Sequence, residues 1–160
     1  MALRGLERRY RELFEPLGEE ESPDELAHRC AADGWSVIDH IAAATQAIAA
    51  ANRALARVLI AEAPTVRPDE VDPAARPKPA FAGGSVDELL TALGREASAA
   101  ADRIERVPAE SWSRAATVDD GSGRTVTGLD IARVAVDAGV GHLRAAGNVL
   151  ATVRGGPDSR

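Results

Sequence analysis

The residues best suited to chemistry are His40 and His142, which are the only histidines placed within long helical patterns. Small residues surround both. Ala43, Ala44 and Ala47 follow His40, and Ala138, Gly139, Gly141 and Ala145 flank His142. A glycine inside a helix costs about 1 kcal/mol against alanine. Two within three residues therefore call for compensation, either close helix contact or room for a ligand. Neutral imidazoles suit zinc, nickel, iron or copper. Two imidazoles facing an opening between helices are how a bundle core builds a metal site. Nitrogens sharing one ion at about 2.1 Å each must lie about 3–4 Å apart. The other reading is that each histidine is a boundary residue with its hydrogen bonds met. Both stand at this level.

The elements that must position these histidines follow from periodicity. Leu3, Leu6, Tyr10, Leu13, Phe14 and Leu17 predict a first helix over 2–17, closed by Pro16 and Gly18. Ser22-Pro23-Asp24-Glu25 predicts a short helix, with a capping serine, proline at the first position and acids in the first turn. Ser36 and Asp39 form a capping-box pattern ahead of a long helix to about Ala61. Its stripe is Val37, Ile41, Ala44, Ile48, Ala51, Leu55 and Val58, and Trp35 staples its start. Ser85 caps a third helix ending before Pro108, and Pro108–Trp112 adds one turn. Asp119–Gly123 reads as a tight loop or hairpin, followed by a brief extended piece at Arg124–Val126. A fourth helix runs from Thr127 to about Val153, stopped by Gly155-Gly156-Pro157. Between the second and third long helices, residues 64–84 carry five prolines, which exclude a continuous helix or central strand. This long segment is either a crossover or a lid. The expected fold is an all-α four-helix bundle, a single domain over 1–160, with one long crossover and a flexible tail at 155–160.

Composition narrows the partners. The net charge is −6, and Lys78 is the only lysine among many arginines. No basic face forms, so nucleic acid is not an expected partner. No apolar run reaches membrane-spanning length and no apolar signal core opens the chain, which predicts a cytoplasmic protein. Cys30 is alone, which excludes a disulfide framework and a cysteine zinc cluster. It is expected to be a buried, inert thiol, and His28 a surface or packing residue.

The string Gly34–Ile48, GWSVIDHIAAATQAI, resembles the start of the second helix in the DinB/YfiT-like superfamily. There a Trp-Ser cap precedes the first metal-ligand histidine, which corresponds to His40. The stretch Thr125–Val153 is similar to the family's last helix, and His142 matches its final ligand. The short helix at 22–30 and the turn at 108–112 also fall where the family has them. The resemblance implies a divalent metal, zinc or nickel, and a thiol-dependent transferase or isomerase activity. The mycothiol-dependent maleylpyruvate isomerase group is an example. The metal there lowers the pKa of a low-molecular-weight thiol such as mycothiol. It further implies a small-molecule substrate and a homodimer.

The pattern breaks at one position. The family's third ligand lies four residues before the last histidine, and here that position is Ala138, with no donor atom. Asp137 is adjacent, but five helical residues set it about 140° around the axis from His142. The candidate metal residues are thus His40 and His142, with Asp137 as a poorly placed third. Ala44, Ala47, Ala138, Gly139 and Gly141 are the expected pocket lining. The alternative is a non-enzymatic bundle that lost the metal site and binds a small molecule or protein partner.

Overall fold

The computed structural model describes residues 2–80 and 83–155. Two short helices, α1 (Leu6–Glu12) and α2 (Pro23–His28), precede the long α3 (Val37–Ile60). A two-residue strand β1 (Thr65–Val66) and a single turn α4 (Pro68–Val71) follow, then a 3-10 turn at Pro73–Ala75. The long α5 (Val86–Arg106) leads through a 3-10 turn at Ala109–Ser113 to strands β2 (Ala115–Val118) and β3 (Thr125–Thr127). The last element is α6 (Gly128–Arg154). Among the described residues, no helix is long and apolar enough to cross a membrane.

Three long helices form the frame, and the remaining rod of the expected bundle is α1, shorter than its pattern predicts. It has only seven helical residues, with turns on either side. Its brevity follows from its surroundings. Leu3 and Leu6 are buried on either side of Gly5 in the chain, while Phe14 and Leu17 pack against the core from outside the regular helix. An isolated helix this short is not stable in water, so tertiary contact must hold it. It lies against α5 and α6 where their surfaces are cut back to glycine. A Cβ on Gly94 would meet the Glu7 carboxylate at 1.9 Å, and one on Gly139 would meet Leu6 at 2.8 Å. Close approach is therefore what offsets Gly139 in mid-helix. Tyr10 is fully buried and donates a long hydrogen bond to the Gly139 carbonyl, 3.4 Å.

Serine and threonine open the three long helices as the sequence predicts. Ser36, Ser85 and Thr127 each accept from the third helical backbone N–H, and Asp39, Glu88 and Asp130 reach back to the cap. α3 is the central rod, packed most extensively on α6 and next on α5. Gly128 lies against Leu55 near the end of α3, and Gly139 against Ile48 further back, so α3 and α6 run antiparallel. The end of α3 is closed by Arg114, whose guanidinium donates to the Val58 and Ala61 carbonyls at 2.9 and 2.6 Å.

The fold is mostly helical but carries a small sheet that periodicity did not reveal. Its order is β1-β2-β3, with β1 parallel to β2 and β2 antiparallel to β3. Val66, Ala116 and Val118 face the core at 1–2 % exposure. Such short strands lack a readable alternation. The extended piece expected at 124–126 overlaps β3, and the 119–123 turn joins β2 to β3. The proline-rich segment holds no continuous helix and no central strand, only the single turn α4 and the 3-10 turn after it. Instead, β1 takes a sheet edge, and Glu70 is buried against Arg57 while accepting from the Arg67 backbone N–H. Of the expected flexible tail, residues 156–160 lie outside the described residues.

Candidate functional site

The site sits at the start of α3. Ser36 donates its N–H and its hydroxyl to Asp39 Oδ2 at 2.8 and 2.9 Å, fixing the first helical turn. His40 follows immediately and is 8 % exposed. His142, from mid-α6, is half-buried opposite. Their Nδ1 atoms are 3.1 Å apart, joining positions 102 residues distant in sequence. Trp35 covers both rings, stacked on His40 at 4.8 Å between centroids and on His142 at 6.1 Å. Lys78, from the proline-rich segment, lies over Trp35 and pairs with Asp39 at 3.0 Å. Replacing Ser36 by alanine should lower stability by about 1 kcal/mol. It should also weaken the hold on Asp39, both readable by urea denaturation and by helix content.

At 3.1 Å the contact matches an N–H···N hydrogen bond, in which one neutral ring donates and the other accepts. The electrostatics support two neutral rings. Burial first, and then the neighbouring His40, bring His142 down to about 4. Burial also lowers His40; Asp33 and Asp39 oppose this, and Lys78 reinforces it. Asp39 is itself partly buried, which favours its neutral form. The Ser36 donors and Lys78 outweigh this and hold its carboxyl below the usual range.

A cavity of about 340 Å³ opens beside the pair, lined by Trp35, Ala43, Gln46, Ala47, Arg76 and His142, with prolines 73, 77 and 79 as its far wall. A larger, more open cleft of about 510 Å³ at Leu59, Asp102 and Arg103 lies away from both histidines. Two of its charged groups are already engaged, Arg103 with Asn52 and Asp102 with Arg4.

The structure brings together His40, His142 and Ala47 from the expected set. It places the rest elsewhere. Ala44 and Ala138 are buried in helix packing, at 0 and 6 % exposure. Gly139 faces Leu6 and Ile48 rather than a cavity, and Gly141 opens to solvent, with nothing within 4 Å of where a Cβ would stand. Asp137 is exposed on α6. Among the described residues, no group of three His, Cys, Asp or Glu side chains could hold a metal. Cys30 is exposed rather than buried: α2 ends at His28, two residues short of it, and its backbone instead bridges Ser36. His28 contacts the Asp24 carbonyl at 2.6 Å within its own short helix. Sequence reasoning missed three parts of the site: Trp35 as the cover, Lys78 as the partner of Asp39, and Arg76 in the wall. Lone charges in a proline-rich loop carry no periodic signal.

A Trp-Ser cap, a histidine one turn into the central helix and a facing histidine from the last helix define a helical class of protein. The chain belongs to the DinB superfamily, whose sequence model DinB_2 matches residues 2–146. No curated protein and no solved structure matches it significantly.

The metal implied by the resemblance needs three protein donors for a catalytic centre. The spacing of the two nitrogens suits a shared ion, but Ala138 stands where a third donor belongs and the Lys78 ammonium approaches the same turn. The residues present do not fit that three-ligand metal.

Proposed function

We propose that this DinB-superfamily domain binds a small organic molecule in the Trp35–His142 cavity, using the imidazole pair as a hydrogen-bonding and proton-holding group. The observation that carries this is the Nδ1–Nδ1 contact of 3.1 Å at the cavity wall, made without a third donor. A pair of neutral rings sharing one proton offers a ligand either a donor or an acceptor. The mostly apolar remainder of the wall, with the Trp35 ring, suits an organic body. A second reading keeps a divalent metal, zinc or nickel, with a thiol such as mycothiol in a transferase or isomerase reaction. The nitrogen separation alone favours it, because a shared ion would require similar spacing.

The two readings separate in one experiment on protein purified without a histidine tag. Elemental analysis is expected to find zinc and nickel well below one per chain. Titration of chelator-treated protein with zinc is expected to show no stoichiometric site that His40→Ala removes. Retained metal at one per chain, lost in His40→Ala, would favour the second reading instead. Ligand-observed NMR against a fragment collection is expected to yield hits that Gln46→Trp blocks, since Gln46 is an exposed wall residue whose enlargement fills the cavity without crowding the core. Hits unaffected by that change would place binding elsewhere.

A further inference from the structure

One wall residue stands apart chemically. Arg76 is half-buried, and its Nε and Nη2 atoms are shielded from water with no hydrogen-bond partner. Those two nitrogens form one edge of the guanidinium, the edge that takes both oxygens of a planar anion. Over nine-tenths of buried polar groups find a partner, so two orphans on one charged side chain need a reason. The charges around Arg76 do not supply it. Asp69 and Glu70 attract it, while Arg53 and Arg67 repel it. Both carboxylates are already engaged, Glu70 by Arg57 and Asp69 by Arg67 at 3.2 Å. Arg53 makes no ion pair among the described residues, and nor does Asp119 in the neighbouring groove. Arg53 lies two turns beyond Gln46 on the same face of α3 and lines the neighbouring groove rather than this cavity. The result is an unmatched guanidinium in the cavity wall.

We propose that Arg76 is an anion anchor, and that the ligand of this cavity carries a carboxylate or phosphate group. This rests on the cavity being the binding site. The guanidinium edge takes two anion oxygens, and the rest of the ligand lies against Trp35 and the imidazole pair. No bond is made or broken in this step. Because both nitrogens are covered in the ligand-free chain, the 73–79 segment must shift slightly to admit the anion.

Three probes test this by NMR of ¹⁵N-arginine side chains and by calorimetry at constant ionic strength: benzoate, inorganic phosphate and the neutral benzamide. Benzoate or phosphate is expected to give a saturable shift at the Arg76 Nε, with benzamide at least tenfold weaker than the better anion. The better anion identifies which of the two groups is recognised. Arg76→Lys keeps the charge but loses the planar fork, and is expected to weaken that anion at least tenfold. Arg76→Met removes the orphaned charge, and is expected to abolish the preference while leaving the ligand-free Tm unchanged or raised. Equal response to all three probes, whether all bind or none does, overturns the anchor. So does a Tm that falls by several degrees in Arg76→Met, which would make the guanidinium a structural group. Benzamide binding that Gln46→Trp blocks would leave the cavity standing even if the anchor falls.

Discussion

Replacing Tyr10 by alanine is expected to cost the fold about 3–5 kcal/mol, the range for removing a large aromatic side chain from a close-packed core. Tyr10 is fully buried. It holds α1, a helix too short to persist alone, against the frame. Its neighbour Leu6 fills the space left by Gly139, and Leu13 sits over Gly147 at 3.5 Å from the position a Cβ would take. Loss of the ring leaves a cavity that rigid helices on either side cannot collapse into. Tyr10→Phe removes only the hydroxyl, whose 3.4 Å bond to Gly139 is long, and should cost under about 1 kcal/mol. Burial pushes the phenol well above its ordinary pKa, so it remains protonated throughout the working range. Urea denaturation of the three proteins gives the comparison. Similar losses for alanine and phenylalanine would mean that the hydroxyl, not the ring, secures α1.

Acidifying metal-free protein from pH 7 to about pH 4 is expected to remove about 2–3 kcal/mol of stability through the histidine pair. Burial first, and then His40, depress His142 to about 4, whereas an unfolded histidine titrates near 6.5. Between those values the unfolded chain binds a proton that the fold excludes. Stability therefore rises with pH across the window and is lost as pH falls through it. The full shift of about 2.5 units at 1.36 kcal/mol each is reduced somewhat because His142 is partly exposed. A second proton would also set N–H against N–H at 3.1 Å. The helix-capping carboxylates act in a separate window. Asp39 and Asp130 are held below their ordinary values by Ser36 and Thr127, so their contribution is lost only below about pH 4. His142→Asn retains hydrogen bonding to His40 without titrating, and should flatten urea midpoints between pH 6.5 and 4.5 by more than half. An unchanged slope would assign the pH dependence to other groups.

Helix starts were the most legible part of the fold. Ser36 with Asp39, Ser85 with Glu88 and Thr127 with Asp130 are local hydrogen-bond patterns, complete within four residues, so the sequence carries them whole. The meeting of His40 and His142 was legible as an expectation because each lay beside small residues on a long helix. What remained hidden depends on contacts distant in sequence. β1 pairs with β2 across the whole of α5, and two strand residues carry no period. The first helix showed a sixteen-residue pattern in sequence but has seven residues of regular helix, since packing into a groove rather than propensity decides its length. Gly139 signalled a close approach but not which neighbour fills it. Arg76 and Lys78 could not be placed without knowing where the proline-rich segment crosses the bundle.

The antiparallel contact between α3 and α6 also dictates when the site can exist. During synthesis His40 is made about a hundred residues before its partner. The most extensively packed face of the central rod has no cover until α6 leaves the ribosome. Until then that alanine and isoleucine surface of the nascent chain stays unshielded. A release that comes too early yields a polypeptide with no imidazole pair. The contact between the two imidazoles thus marks completed assembly, because it needs a residue from the last helix.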